Sequence, residues 1–494
     1  MARINWNEPR FDKEDLKEVI EVIETSYVNE GPKTKELEEK FREYLGVKHV
    51  IFTTNATAAL FLALKADAII RGIKDFEVIV PDMTMIATAT AVSWAGGKVV
   101  LADVEKDRMT IDPEEIKKKI SPKTTAILPV HIIGRAPDMA ALQRIAQENN
   151  LTIIEDAAGA LGSKNRDGRF LGTIGKVGCF SLQSNKLVTC GQGGVIVTDD
   201  DQYYEAIRRL RDFGRLSNKE FLHEEVGYNL KFNDLSAALA LSQFRKLEER
   251  KELMVSQRNQ YESELKSIEK IAFPRTDLNF GEIPLWVEIF AEERDELIEY
   301  LKASEIYARP CWPAIHRNPP YRNQGNNEDY PNASSISDNV LWLPNGPAIS
   351  PEQITFISNK IKEFYNREKP PIKLEKIHED KRGSIHLVED LLPSDKEFTF
   401  LEINKGYARG GCLHSNDEHL VVVKGKIRFI CGEEETIVGM GESARIPANR
   451  AHAFIALEDS VVSEWGITSE EKNHDAKDPQ LRALLDEINE SQNF

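Results

Sequence analysis

A chain of 494 residues is too long for one ordinary hydrophobic core, so two or three domains are expected. With 29% charged and 41% apolar residues it is a folding chain rather than a disordered one, and a formal net charge of −17 argues against non-specific nucleic-acid binding. Five widely spaced cysteines set no disulfide framework, the first ten residues carry no apolar signal core, and no stretch reaches the ~18 apolar residues of a membrane span, which together predict a cytoplasmic protein without a membrane partner.

Residues 13–25 place Leu16, Val19, Ile20 and Ile23 on one helical face, with Asp12 as cap. Leu37, Phe41 and Tyr44 mark a second amphipathic helix that Gly46 can close. Residues 47–53 are strand-like, and the turn Thr54-Asn55-Ala56-Thr57 opens an apolar helix over 58–70. This strand–turn–helix offers unpaired backbone N–H groups and a positive dipole end, to which Thr57 adds a hydroxyl. It suits a phosphate, although taken by itself it reads first as an ordinary capped helix. Strands at 77–80, 98–103, 125–130 and 151–155 alternate with helices at 87–94, after Asp112-Pro113, and at 139–149. The alternation predicts a largely parallel sheet covered on both faces, with ligands at the carboxyl ends of its strands.

Asp156 ends the apolar run T-I-I-E-D. A buried carboxylate there needs a cation or strong donors; a protonated pyridine nitrogen is one such partner, and capping the next segment is the other reading. The stretch 180–194, F-S-L-Q-S-N-K-L-V-T-C-G-Q-G-G, carries Lys186 in a short polar loop beside Ser181, ahead of Gly191, Gly193 and Gly194 and a strand at 195–198. A lysine so placed can form a Schiff base with a phosphate-bearing aldehyde, although most lysines near glycines are solvated loop residues. Asn55, Asp156 and Lys186 all follow predicted strands, which gives the lysine the company that its own loop lacks.

With these residues placed, the chain resembles the DegT/DnrJ/EryC1/StrS sugar-nucleotide aminotransferases over about residues 3–365. The motifs that carry the resemblance run in order: N-E-P at 7–9, E-G-P-K-T-K-E-L-E at 30–38, N-A-T-A-A-L at 55–60, P-V-H-I-I-G at 129–134, E-D-A-A-G-A at 155–160, the Lys186 stretch, and G-Y-N-L-K-F-N-D-L-S-A-A-L at 227–239. The opening looks most like the perosamine-synthase branch. The resemblance implies an α/β chain of the pyridoxal 5′-phosphate (PLP) aminotransferase fold type I, with glutamate as amino donor and a nucleotide-linked keto-deoxyhexose as acceptor. It implies that Lys186 carries the cofactor and shuttles protons, and that Asp156 pairs with its ring nitrogen. It implies that Ala56, Thr57 and Ser181 hold the phosphate, that Met85 stands where an aromatic residue usually stacks on the ring, and that Asn229 reaches the cofactor phosphate of a neighbouring subunit in a homodimer or larger assembly. Three positions depart from the pattern: Ala56 for glycine, Met85 for the aromatic, and Gly159 where a polar residue is frequent. An altered pocket of this kind keeps open a PLP-dependent sugar isomerase or dehydratase, and a non-enzymatic regulator with a relic site.

The predicted domains are a PLP-binding large domain at 1–240, a small domain at 241–365 that starts with one long charged helix over 241–258, a linker at 366–372, an all-β barrel at 373–470 and a tail helix at 471–494. In the small domain, R-P-C-W-P-A-I-H-R-N-P-P-Y at 309–321 resembles a family loop near the substrate, which makes Arg309 and His316 candidates for sugar or diphosphate contact or plain surface residues. Past the linker, short strands alternate with glycine-rich turns. Cys412-x-His414, Glu418 and Gly425, then Gly441, Pro447 and His452, look like the two motifs of the cupin family, with Cys412 replacing the first histidine and Asn449 standing where glycine is common. Cys412, His414, Glu418 and His452 are therefore candidate ligands of a divalent metal. R-G-G-C-L-H also resembles the R-G-G-H-x-H of sugar-nucleotide ketoisomerases. Metal site, sugar isomerase or epimerase, and non-catalytic binding module stay open for this domain.

Overall fold

A computed structural model describes residues 3–217, 220–367, 374–388, 396–468 and 476–492. The chain forms two compact units, Met1–Asn366 and Arg367–Phe494. Most of the predicted linker, 366–372, and the predicted barrel start at 373 lie outside the described residues.

In the first unit, α1 (Lys13–Thr25) and α2 (Pro32–Leu45) precede β1 (His49–Thr53), α3 (Ala56–Ile70), β2 (Glu77–Pro81), α4 (Ala87–Ala95), β3 (Lys98–Ala102), α5 (Pro113–Lys119), β4 (Thr124–Ile127), α6 (Met139–Asn149), β5 (Thr152–Asp156), β6 (Val177–Ser181), β7 (Gly194–Thr198) and α7 (Asp201–Arg211). The seven strands make one sheet in the order β1-β7-β6-β5-β4-β2-β3. Five of them, β3, β2, β4, β5 and β6, pair in parallel, while β7 runs antiparallel to both β6 and β1. The exception has a local cause: the loop 182–193 between β6 and β7 holds no helix, and a parallel return needs a long crossover. Every residue of β2, β6 and β7 is buried, as expected of strands covered on both faces.

Helix α1 departs from the simplest reading of its pattern. Its apolar stripe is exposed at Leu16 (60%), Ile20 (42%) and Ile23 (58%), whereas Asp15 and Val22 are buried. Polar ties set that orientation: Asp15 accepts from Gln243 Nε2 at 2.9 Å and from Lys246 Nζ at 3.0 Å. After a hairpin of β8 (Arg215–Ser217) and β9 (Glu220–His223), the single long helix expected over 241–258 is two, α8 (Asp234–Phe244) and α9 (Leu247–Leu265). The break falls at Arg245 and Lys246, and Lys246 reaches both Asp12 and Asp15 there, at 2.6 and 3.0 Å.

A smaller antiparallel sheet follows: β10 (Ile271–Ala272), β11 (Val287–Ala291), β12 (Arg309–Pro310) and β13 (Val340–Leu343), in the order β10-β11-β13-β12. Together with α9, α10 (Arg294–Ala303) and α12 (Pro351–Asn366), it surrounds a core that includes Leu265, Leu297, Leu301, Ile357, Ile361 and Phe364, whereas α11 (Pro331–Asn339) buries Ala333 and Ile336 in the large core. Ile4 belongs to this core and bridges Ile306, so the start of the chain is anchored beside β12.

The second unit is antiparallel throughout. Its strands are β14 (Leu374–Asp380), β15 (Gly383–Val388), β16 (Lys396–Ile403), β17 (Ala408–Leu413), β18 (Glu418–Lys424), β19 (Lys426–Cys431), β20 (Glu434–Gly439), β21 (Ser443–Ile446), β22 (His452–Ala456), β23 (Ser460–Thr468) and β24 (Ala476–Lys477). They form a six-stranded sheet, β14-β15-β16-β23-β18-β21, and a five-stranded sheet, β20-β19-β22-β17-β24. Leu401, Leu420, Val422 and Val462 of one sheet share a core with Ile427, Phe429, Val438 and Phe454 of the other. The tail helix α13 (Pro479–Ser491) packs on β17 through Leu485, and its Asn489 side chain bonds both the N–H and the carbonyl of Ala408, at 2.8 and 3.2 Å.

Candidate functional site

A cavity of about 330 Å³ opens where the strands of the large sheet end. Its walls come from 55–57 after β1, 84–88 after β2, 130–133 after β4, 156–159 after β5 and 181–186 after β6, with Trp286, Arg309, Trp312 and Trp342 facing them from the smaller sheet and its loops. Parallel strands whose loops leave at one edge put ligands there. Of the predicted cofactor residues, Ala56, Thr57, Met85, Asp156, Ser181 and Lys186 all line this cavity, and Asn229 does not. Asn229 lies instead in an isolated bridge with Asp212.

Lys186 is enclosed, and burial pulls its Nζ down to about 8 against the opposing attraction of Asp156. Its Nζ stands 5.0 Å from the centre of the Trp286 ring. Asp156, 5% exposed, accepts from Thr88 Oγ1 at 2.8 Å and from the Ala158 N–H at 3.1 Å. Burial nevertheless raises its pKa, since those donors offset only part of the desolvation. The neighbouring Glu155 points to the other face of β5. Burial pushes Glu155 up as well, but His131 and the backbone N–H groups outweigh it and hold the carboxyl below its ordinary value. It accepts from His131 Nε2 at 2.6 Å and from the N–H groups of Gly172, Ile174 and Gly175 at 2.9, 2.6 and 2.5 Å.

Asn55 caps α3 by accepting from the Ala58 N–H at 2.9 Å, which leaves the first N–H groups of the helix, at Ala56 and Thr57, beside the cavity. Gly194 makes this arrangement possible: a Cβ there would run into the Asn55 carbonyl. Ser181 Oγ accepts from the Gln183 N–H at 3.3 Å on the adjoining wall.

A second polar cluster lies inside the second unit. Cys412 stands opposite His452 in the β17–β22 register, so their side chains share a face. The register shifts between Gly410 and Cys412, and Gly411 takes a positive φ of 80° that lets this bulge turn the following residues inward. Ligand atoms of Cys412, His414 and His452 lie within 4.8 Å of one another, as do those of Glu418, His452 and Glu464. His414 and His452 approach Glu418 Oε2 at 3.4 and 3.5 Å, and Cys412 Sγ is 4.0 Å from His452 Nε2. Burial, with the nearby His414, lowers His452 to about 4. All four predicted ligands therefore converge, and Glu464, which the sequence patterns did not single out, joins them because it shares the inner face of β23 with Val462.

The first unit matches the model of the DegT/DnrJ/EryC1/StrS aminotransferase family over residues 9–362. The chain belongs to that family. A cupin domain matches residues 400–465. The chain is similar to a GDP-perosamine synthase of Vibrio cholerae, 31% identical over 364 residues that make up 73% of this chain and 98% of that one. It is also similar to the spore coat polysaccharide biosynthesis protein SpsC of Bacillus subtilis, 31% identical over 375 residues, 72% and 95% of the two chains. Among solved structures it is similar to S. venezuelae DesV, at 30% identity and a TM-score of 0.70 over 75% of this chain and 100% of that one. This aminotransferase thus carries the fold type I layout in its first unit and a cupin in its second.

The cavity of the aminotransferase suits a pyridoxal 5′-phosphate on two observations. A partly buried lysine and a buried aspartate share it, and a helix N-terminus adjoins it. The departures are accommodated. Met85 is half exposed and lines the cavity, its Sδ accepting from the Ala87 N–H at 3.1 Å. A Cβ at Gly159 would make only ordinary contacts, 3.4 Å to Ile133 N and 3.5 Å to Leu285, so no steric need put glycine there. Asn449, at a frequent glycine position of the cupin motif, adopts a φ of 60°, a left-handed conformation asparagine tolerates.

Of the two candidates in the 309–321 loop, Arg309 lines the cavity and His316 does not. His316 is buried, with Nδ1 2.6 Å from Asp82 Oδ2 and Nε2 2.9 Å from Asn327 Oδ1, so both ring nitrogens are engaged within the protein. Thr88, His131 and four tryptophans escaped the sequence reading as site residues. His131 stands in the P-V-H-I-I-G motif, which was the available signal; the tryptophans, at 6, 286, 312 and 342, had none in common.

Proposed function

We propose that this aminotransferase moves an amino group from glutamate to a keto group of a nucleotide-linked deoxyhexose. The observation that carries the reading is a partly buried lysine, its pKa drawn down to about 8, sharing one cavity with a buried aspartate at the ends of the sheet strands. The relatives named GDP-perosamine synthase support the acceptor class, since perosamine is an amino sugar carried on a nucleotide.

When bound, PLP supplies a ring that accepts electrons and a carbon that carries the amino group between substrates. Asp156 would hold its ring nitrogen, the N-terminus of α3 at Ala56 and Thr57 with Ser181 would hold its phosphate, and Met85 would pack against the ring. Thr88 keeps Asp156 turned toward the cavity through its 2.8 Å bond. Lys186 must be neutral to act. A pKa of about 8 leaves about a tenth of it neutral at pH 7, against about one part in three thousand at the ordinary lysine value. Its Nζ then takes a proton from the amino-bearing carbon and returns one nearby, a role worth about 10²–10⁴-fold. Asn229 would serve the partner's cofactor phosphate in a homodimer. The domain reading is a large domain at 1–240, a small domain at 241–365 and a cupin at 373–470 that binds or acts on a related sugar nucleotide. There, Cys412, His414, Glu418 and His452 would hold a divalent ion, and thiolate with imidazole suits zinc.

Lys186→Ala is expected to lower turnover by about 10²–10⁴-fold and to remove the visible absorbance of lysine-bound cofactor; an unchanged spectrum would sink the assignment. Elemental mass spectrometry of the full-length protein is expected to find about one divalent ion per chain, lost in the His414→Ala, His452→Ala double variant. Background metal in the wild type would remove the ion from this reading.

A further inference from the structure

Glu464 belongs to the cupin cluster yet lies outside both sequence motifs. Strand alternation puts it inside the barrel. Val462, two residues before it, is in the core, and so is Leu420, which pairs with Glu464 in the β18–β23 register. Glu418, two residues before Leu420, faces inward by the same rule. Both glutamates and both histidines of the cluster are buried, and Cys412 is partly buried. Gly466 brings β23 close to the motif residues: it has a φ of 124°, and a Cβ there would stand 2.7 Å from the Asp417 carbonyl oxygen.

The spacing of the cluster is that of a shell around one centre. His452 Nε2 stands 3.5 Å from Glu418 Oε2, 3.9 Å from Glu464 Oε1 and 4.0 Å from Cys412 Sγ, and His414 Nε2 stands 3.4 Å from Glu418 Oε2. The three nitrogen–oxygen separations are longer than ordinary hydrogen bonds. Ligand atoms held about 2.0–2.3 Å from a zinc ion stand roughly 3.3–3.6 Å apart at tetrahedral angles, close to these values. Two carboxylates beside one imidazole repel each other in a buried site unless a cation lies between them. The donors also approach from both sides. Cys412 and His452 lie on β17 and β22, with His414 directly after β17, whereas Glu418 and Glu464 lie on β18 and β23 of the facing sheet. The loops that carry them are tied together: the Asn449 N–H donates to the His414 carbonyl at 2.6 Å, and the Ala448 N–H to Asp417 Oδ1 at 2.9 Å.

We propose that Glu464 is a fifth protein donor to the cupin ion and fills the position that water or a substrate would need, so that the ion staples the two sheets together and takes no direct part in sugar chemistry. This rests on the metal reading above and assigns the ion its task. Catalytic zinc keeps a position open for water or substrate, and structural zinc is closed by protein ligands. Four motif residues and Glu464, converging from two sheets, make the closed kind. An ion that binds the folded barrel and not the unfolded chain stabilises it by mass action. A sugar nucleotide taken up by this cupin is then held by side chains alone.

The test uses the cofactor-loaded full chain, stripped of metal and reloaded with Co²⁺, and azide as the probe of an open position. The visible difference spectrum between the Co²⁺-loaded and metal-free chains reports the donors around the ion and cancels the absorbance of the cofactor. In the wild type this spectrum is expected to stay unmoved by excess azide, and Co²⁺ to raise the unfolding temperature of the barrel. Glu464→Ala is expected to change the spectrum, to make it respond to azide, and to weaken Co²⁺ binding at least about tenfold; Glu464→Gln, which keeps the side-chain shape, is expected to change the spectrum as well. A wild-type spectrum that azide shifts would overturn the closed site, and this arm needs no variant, so it holds even where Glu464→Ala does not fold. Variant spectra equal to wild type, with no response to azide, would remove Glu464 from the donors. Either result leaves the four-residue ion site standing. A wild-type chain that binds no Co²⁺ would instead overturn the metal reading itself, and this proposal with it.

Discussion

Burial drives Lys186 and Asp156 toward their neutral forms, the lysine by lowering its pKa to about 8 and the aspartate by raising its own. The lysine consequence is measurable in cofactor-free protein. Only the neutral Nζ attacks an aldehyde, so the rate of PLP uptake should climb close to tenfold per pH unit below about 8 and level off above it. Stopped-flow absorbance would follow the uptake; a rate flat from about pH 6 to pH 8 would contradict a lysine with this pKa. Asp156 was visible in sequence because it ends an apolar run with a charge at a strand end, and Lys186 because its short polar loop follows a strand-like run and precedes glycines. The tryptophans lining the cavity were not visible, because Trp6 reaches it only through the anchoring of Ile4 beside Ile306, and Trp342 through its place in β13. Residues so far apart along the chain share no local pattern.

Among the elements, helix α2 shows how a start signal can be borrowed. It has no side-chain cap of its own, since Gly31 precedes it. Asp234, from the start of α8, does that work from 200 residues away, accepting from the N–H groups of Gly31, Lys33 and Thr34 at 2.8, 3.0 and 3.0 Å and from the Thr34 hydroxyl at 2.7 Å. Asp234→Ala would leave those donors unmatched in a site where Asp234 is 1% exposed, and is expected to cost about 3–5 kcal/mol, read from urea unfolding. A loss below about 1 kcal/mol would mean that water replaces the carboxylate. The boundaries of α1 followed from its cap and periodicity and the end of α2 from Gly46, whereas the face that α1 buries did not. Hydrophobic spacing identifies a stripe; Gln243 and Lys246, from the α8–α9 region, decide that Asp15 rather than Leu16 turns inward.

At the scale of the whole molecule, the first unit has a complete cavity wall from its own strands, yet Asn229 stands outside it. If Asn229 serves a partner's site, Lys186→Ala and Asn229→Ala subunits should complement each other. Mixed dimers would hold one site with both residues intact, and random reassociation would restore about a quarter of wild-type turnover. A mixture no more active than its parents would place Asn229 in its own chain's structure alone. The described residues contain no helix long and apolar enough to cross a membrane.

Sequence alone determined the fold class, the family and the residues whose neighbours along the chain explain them: a charge at a strand end, a capped helix after a strand, a glycine where backbones touch. These are local matters, set by propensity, capping and motif order. Tertiary structure decided the rest. It exposed the apolar stripe of α1, engaged His316 with Asp82 and Asn327, carried Glu464 to the cupin cluster, and assembled four distant tryptophans beside Lys186. The physical reason is common to them all: burial and pairing across long sequence separations depend on which surfaces meet, and chain order does not encode that meeting locally.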